Sequence, residues 1–173
     1  MEDKLSNVLA SIGLALGGVL GLAGAFAPSA VLRSLAWGVD GAGIVMASAL
    51  LMLGFHRKGQ DLVAAGFLVL AIGEGVILSG GAIDLDASIP SFGAGTALWA
   101  VALVLIGIAP AFPLIVRLLG FASSIMFAAT ALQIFAGSHI VPTAAPLPGF
   151  AYPFFVATMF GWIWTLLFAR AKS

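Results

Sequence analysis

The chain has 173 residues, of which 62% are hydrophobic and only 8% are charged, with seven acidic and seven basic side chains. An ordinary soluble domain has about 25% charged residues, so this composition excludes a water-exposed globular surface and indicates a membrane protein. The zero net charge argues against a nucleic-acid partner, and the absence of cysteine excludes disulfides and thiolate metal sites.

Six apolar runs, taken in chain order, predict six transmembrane helices. A run of about 20 apolar residues forms about 30 Å of helix, which matches the hydrocarbon thickness of a bilayer. The breaks between the runs contain proline, glycine or charged residues. We therefore predict one all-α domain, residues 1–173, that is a single six-helix bundle surrounded by lipid. Its helices are predicted at residues 7–27, 31–55, 61–80, 95–111, 114–136 and 150–169.

The distribution of basic residues predicts the orientation of this bundle. Cytoplasmic loops of membrane proteins carry an excess of Lys and Arg. With six spans, only Arg33 falls on one side, and we assign that side to the exterior. The other side, which includes both chain termini, is predicted to be cytoplasmic, so the protein is expected in the cell (inner) membrane. It carries Lys4, Arg57, Lys58, Arg117, Arg170 and Lys172.

A stripe of small residues runs along the first helix. Gly13, Gly17 and Gly21 recur at four-residue intervals, and Gly43 belongs to a similar small face on the second helix. Helices in lipid associate where small residues let their backbones approach closely. We favour a contact within the chain, and the alternative is a seam for a homo-oligomer or a partner membrane subunit.

Two carboxylates, Asp40 and Glu74, interrupt apolar helices. A charged group at the bilayer centre costs about 2.5 to 3.5 kcal/mol, so such a residue faces the bundle interior or a cavity. Asp40 and Glu74 are each about 9 to 10 Å from the exterior ends of adjacent antiparallel helices, so we predict that they lie at similar depth. The functional interpretation is a protonatable pair that lines an externally open cavity. The alternative is a structural glutamate that fixes helix register.

Two further polar residues are candidates for the same cavity. Arg33 precedes Asp40 by seven residues, two helical turns along the same face, and either turns inward to neutralise Asp40 or extends outward to the interface. Gln133 lies near the exterior end of the fifth helix, where it either lines the cavity or bonds to a neighbouring helix.

Other chemistry finds little support in the sequence. Asp84, Asp86 and His139 occupy exterior loops, but three isolated side chains fall short of the ligand count of a metal site, so a solvated acidic loop is favoured. No span contains a histidine for haem ligation, and nucleotide-binding and hydrolase motifs are absent, so we expect no cofactor. An embedded enzyme that uses Glu74 and Asp40 as an acid–base pair ranks third.

An internal repeat is a separate question. A shift of 84 residues aligns VLRSLAWG with IVRLLGFA, and a shift of 81 aligns IVMASALLM with IMFAATALQ. Inverted repeats of three helices build several transporters, but apolar segments also resemble one another by composition alone. The sequence leaves a 3+3 inverted repeat open beside six unrelated helices.

The leading functional prediction is a small carrier or channel for a small solute or ion, proton-coupled through Glu74 and Asp40. An exterior loop of about 16 residues that carries Asp84 and Asp86 is a candidate gate, since long ordered loops are often functional. The alternative is a non-catalytic membrane subunit or lipid-binding scaffold that assembles through the Gly13/Gly17/Gly21 face.

Overall fold

A computed structural model of the protein describes residues 2–168, which form six α-helices and no strand. All six helices are long and apolar enough to cross a membrane, which confirms the predicted six-helix bundle and indicates a multi-pass membrane protein. The helices are α1 (Glu2–Ala25), α2 (Ala30–Arg57), α3 (Asp61–Ser79), α4 (Ile89–Ile108), α5 (Leu114–Phe135) and α6 (Ala151–Phe168).

The largest difference from the predicted boundaries is at the start of α4, which begins at Ile89 rather than at residue 95. Pro90 lies in the first turn, where a helix does not need the missing N–H group. Gly95 then packs so closely on α3 that an added Cβ would lie 2.8 Å from the carbonyl oxygen of Gly73. The preceding loop, residues 80–88, is therefore shorter than the predicted loop of about 16 residues.

The boundary between α1 and α2 is the least marked in the sequence, and a side-chain cap defines it. Ser29 is the N-cap of α2, and its hydroxyl accepts a hydrogen bond from the backbone N–H of Leu32 at 3.3 Å. A serine at this position satisfies an N–H group that has no partner within the helix. Pro28 and this cap together end one span and begin the next.

The six helices form a closed ring in chain order, because each packs on its neighbours in sequence and α6 packs on α1. In an inverted repeat, a two-fold axis in the membrane plane relates the first three helices to the last three. Viewed from one end of the bundle, α4, α5 and α6 would then follow one another around the ring in the opposite sense to α1, α2 and α3. In this ring all six follow in one direction, so the described helices lack the symmetry of a 3+3 inverted repeat.

The alternating helices define two ends of the bundle. The first, which we call the terminal end, contains the start of α1 and the α2–α3 and α4–α5 loops. The second, which we call the loop end, contains the α1–α2, α3–α4 and α5–α6 loops. Arg170 and Lys172 of the predicted cytoplasmic set lie outside the described residues, and the assignment of the loop end to the exterior stays a prediction.

Aromatic side chains fill the ring near the terminal end. We call four buried residues that each contact at least two of the others the aromatic plug: Phe55, Phe67, Phe112 and Trp162. The ring centroids of Phe67 and Trp162 are 5.1 Å apart, and those of Phe55 and Phe67 are 5.6 Å apart in a stacked arrangement. Such contacts between large side chains close the space between the helices at this end.

Candidate functional site

A cavity of about 150 Å³ occupies the ring at the loop end. Its wall combines residues from five of the six helices with residues of the α3–α4 and α5–α6 loops. Gly38 and Gly81 belong to the wall and are exposed, so the cavity reaches the surface of the bundle. The acidic and aromatic members of the wall are Asp40, Glu74, Trp37, Phe92, Trp99 and Tyr152.

The two intramembrane carboxylates meet in this cavity. Asp40 of α2 and Glu74 of α3 both line it, and they are close enough to interact electrostatically. Only 2% of Glu74 and 9% of Asp40 is exposed. The two acids meet because they lie at a similar depth on adjacent antiparallel helices, as their positions in the sequence predict.

Neither carboxyl group is satisfied by the surrounding protein. Within residues 2–168, no group donates a hydrogen bond to Oδ1 of Asp40 or to Oε2 of Glu74, although both atoms are buried. Buried polar atoms are usually paired, because an unpaired one loses its hydration without compensation. Within the described residues, Oε2 of Glu74 lacks the partner that would be expected of a structural glutamate that fixes helix register.

Glycines provide the space for both carboxyl groups. An added Cβ would lie 3.1 Å from Oδ2 of Asp40 at Gly21 and 3.3 Å from Oδ1 of Asp40 at Gly17. An added Cβ at Gly41 would lie 2.8 Å from Oε1 of Glu74. Each acidic side chain therefore lies against the bare backbone of a neighbouring helix.

The glycine stripe of α1 is an internal contact. Gly13 packs on Gly43 of α2, where an added Cβ at Gly43 would lie 2.8 Å from the carbonyl oxygen of Gly13. Because α2 of the same chain covers the stripe, the stripe is not free for a partner subunit. The alternative prediction, a scaffold that assembles through Gly13, Gly17 and Gly21, is therefore wrong about the surface that would meet a partner.

Arg33 does not turn inward to Asp40. Its Nε donates to the carbonyl oxygen of Ala82 at 2.9 Å, and its Nη2 donates to that of Ile83 at 3.4 Å. The guanidinium carbon also lies 5.9 Å from the ring centroid of Trp37. Arg33 thus ties α2 to the α3–α4 loop, and no ion pair with Asp40 occurs among the described residues.

The four aromatic residues of the wall, Trp37, Phe92, Trp99 and Tyr152, were missed as site residues from the sequence. Trp37 lies one helical turn before Asp40, and its Nε1 donates to the carbonyl oxygen of Gly21 at 3.0 Å. Trp99 is buried, and the described chain offers no acceptor to its Nε1. Tyr152 lies 6.2 Å from Trp99 between ring centroids. Helical periodicity could have placed Trp37 on the face of Asp40, but no sequence signal brings Tyr152 of α6 to them.

Gln133 is exposed and is not among the residues that line the cavity, so the structure does not bring it to the carboxylates. It lies on the outward side of α5, next to the exposed Leu132. Two polar residues in the other half of α5, Ser123 and Ser124, are buried and donate to the carbonyl oxygens of Ala151 and Ala100.

The loop residues considered for a metal site form a pair rather than a cluster. Nε2 of His139 lies 3.4 Å from Oδ1 of Asp86, and both side chains are more than two-thirds exposed. Asp84 accepts hydrogen bonds from the backbone N–H groups of Asp86 and Ala87 within its own turn. Across residues 2–168, no three His, Cys, Asp or Glu residues group together as metal ligands.

Comparison with known proteins adds no family assignment. The chain matches no family model, no curated protein and no solved structure.

Proposed function

We propose that this protein is a small membrane carrier that binds a small solute or ion in the cavity at the loop end. The observation that carries the proposal is the pair of buried carboxyl groups, Asp40 and Glu74, which line a cavity open to the surface and have unpartnered oxygens. Ionisable residues inside a membrane face protein or water-filled cavities and are functional by default.

The contents of the ring favour a carrier over an open channel. The aromatic plug fills the ring near the terminal end, whereas the cavity lies near the loop end. A recess beside the aromatic plug, lined by Leu103 and Trp162 among others, is only about 10 Å³ in volume. A solute that enters from the loop end therefore meets packed side chains, and passage requires the helices to rearrange.

Proton exchange gives such a rearrangement a driving force. A proton bound to Glu74 or Asp40 neutralises a charge that is costly in the membrane, and a bound solute with positive charge does the same. The carboxyl groups are then occupied alternately, by the proton on one passage and by the solute on the other. We propose this exchange as the coupling mechanism, with the loop end facing the exterior.

The test is transport into liposomes that contain the purified protein and a pH-sensitive dye. Small cations and neutral solutes are added outside one at a time, and the internal pH is recorded. We expect at least one solute to drive proton movement with the wild-type protein and none with Glu74→Gln, which removes the exchangeable proton and keeps the side-chain shape.

The matched control is Asp61→Asn, which also replaces an acid by its amide but lies exposed at the terminal end, paired with His56. This variant should transport at the wild-type rate. If Glu74→Gln moves protons as fast as the wild-type protein, the proposed role of Glu74 is wrong.

A further inference from the structure

We infer that the solute is a small organic cation of the ammonium type, bound between the two carboxyl groups and the aromatic wall of the cavity. This inference rests on the proposed function for its physiological meaning, but it concerns binding and can be tested separately from transport.

The ionisable side chains of the cavity favour a cation. Asp40 and Glu74 are the ionisable acids of the wall, and the part of the chain that the structure describes places no Lys, Arg or His there. The nearest candidate to neutralise them, Arg33, is engaged with the carbonyl oxygens of Ala82 and Ile83. An anionic solute would therefore meet two acids without a basic partner, whereas a cation that replaces their protons balances their charge.

The aromatic wall selects an organic cation. Trp37, Phe92, Trp99 and Tyr152 line the same cavity as the two acids. Aromatic rings attract cations through the negative potential of their faces, and cages of such rings bind quaternary ammonium groups. Alkyl groups on the nitrogen also gain contact with rings, which a strongly hydrated inorganic ion does not.

Among the described residues, no third His, Cys, Asp or Glu joins the two acids as a candidate metal ligand. Calcium and magnesium need about six oxygen ligands at short distances. Besides the two carboxyl groups, the side-chain oxygens of the wall belong to Ser34, Ser88 and Tyr152, and the hydroxyl of Ser88 already donates to the carbonyl oxygen of Leu85.

The size of the cavity fits a molecule of a few heavy atoms. An apolar cavity of about 150 Å³ in another protein binds benzene, which has six heavy atoms. Tetramethylammonium and choline have comparable sizes. The cavity volume in this protein, also about 150 Å³, therefore accommodates an ammonium group with several methyl substituents.

The test measures binding to the full chain in lipid nanodiscs by calorimetry and by tryptophan fluorescence. The probes are methylammonium, tetramethylammonium and choline. The neutral control is dimethylbutanol, in which a quaternary carbon replaces the nitrogen of choline and leaves the shape almost unchanged. We expect choline or tetramethylammonium to bind, and dimethylbutanol to bind at least about tenfold more weakly because it lacks the charge.

Variants separate the two parts of the wall. Glu74→Gln should weaken binding of the cations at least about tenfold and leave the weak binding of dimethylbutanol unchanged, because only the charge differs. Trp99→Leu should weaken choline more than methylammonium, because the methyl groups lose an aromatic contact. If Trp99→Leu does not fold, Tyr152→Leu makes the same comparison. Asp61→Asn should bind all probes like the wild-type protein.

Each outcome decides between the two proposals. Equal binding of choline and dimethylbutanol, or binding of an alkali or divalent metal ion but of none of the three ammonium probes, overturns the organic-cation inference and leaves a carrier in place. Tight choline binding that depends on Glu74, without any flux into liposomes, supports the cation site and contradicts the carrier. Binding of none of the ammonium probes overturns the inference.

Discussion

The two ends of this bundle are built from the same apolar helices but are filled in opposite ways. At the terminal end, the side chains of the aromatic plug fill the space between the helices and pack against one another. At the loop end, the ring contains two acids with unpartnered oxygens beside a cavity. The packing at the terminal end stabilises the bundle, whereas the cavity and the unpartnered acids at the loop end lower its stability.

This difference has a physical reason. Helices in lipid are held together by close packing, since lipid tails are as apolar as leucine side chains. A cavity forfeits these contacts, and a buried carboxyl group without a partner also loses its hydration. The loop end bears both costs, which is typical of a site where a ligand completes the structure.

The largest expected effect on stability is at the plug. Phe67→Ala removes a side chain that is 0% exposed and contacts three other rings. The free energy of unfolding should fall by about 3 kcal/mol, because the vacated space does not fully collapse. Unfolding with increasing fractions of a denaturing detergent measures this change. A loss of less than a third of that size would contradict the role of the plug as the main packing element.

The opposite sign is expected at the cavity. Glu74→Met replaces an unpartnered acid by an apolar side chain of similar length, so the free energy of unfolding should rise by about 2 kcal/mol while transport is lost. The same detergent titration measures it. If Glu74→Met destabilises the protein, Glu74 has a structural partner, and the distinction between the two ends fails.

A smaller loss of stability is expected where α1 and α2 approach most closely. Gly43→Ala places a methyl group 2.8 Å from the carbonyl oxygen of Gly13, so the helices must separate, at a cost of about 1 to 2 kcal/mol. Gly54→Ala is the matched control on the same helix, because its added Cβ meets no atom within 4 Å. This control should be neutral or slightly stabilising, since alanine favours helix more than glycine does. Equal effects of the two substitutions would show that the contact has no special importance.

The smallest effect is expected at Gln133. Because its side chain is exposed and lies away from the cavity, Gln133→Ala should leave the affinity for ammonium probes and the transport rate unchanged. Calorimetry and the liposome assay measure both quantities. A loss comparable to that of Glu74→Gln would mean that the cavity extends further along α5 than the described structure shows.

Much of the architecture could be predicted from the sequence. Each transmembrane span is recognised by the length of its own apolar run and by the proline, glycine or charged residues that end it, almost independently of the other spans. The early start of α4 could not be predicted in this way. The segment from Ile89 to Gly95 contains proline, serine and glycine, and it is helical because those small residues pack closely on α3 and α5.

The candidate site, like the fold, could be predicted only in part from the sequence. The sequence by itself determined that Asp40 and Glu74 face protein, because a charge is costly in lipid, and that they lie at similar depth, because helical rise is constant. Only the tertiary structure decided what surrounds them. Closure of the ring brings Trp99 and Tyr152 to the two acids, turns Arg33 to the α3–α4 loop and leaves Gln133 outside. These outcomes depend on how the helices rotate and pack around one another, and helix packing is a property of all six helices together.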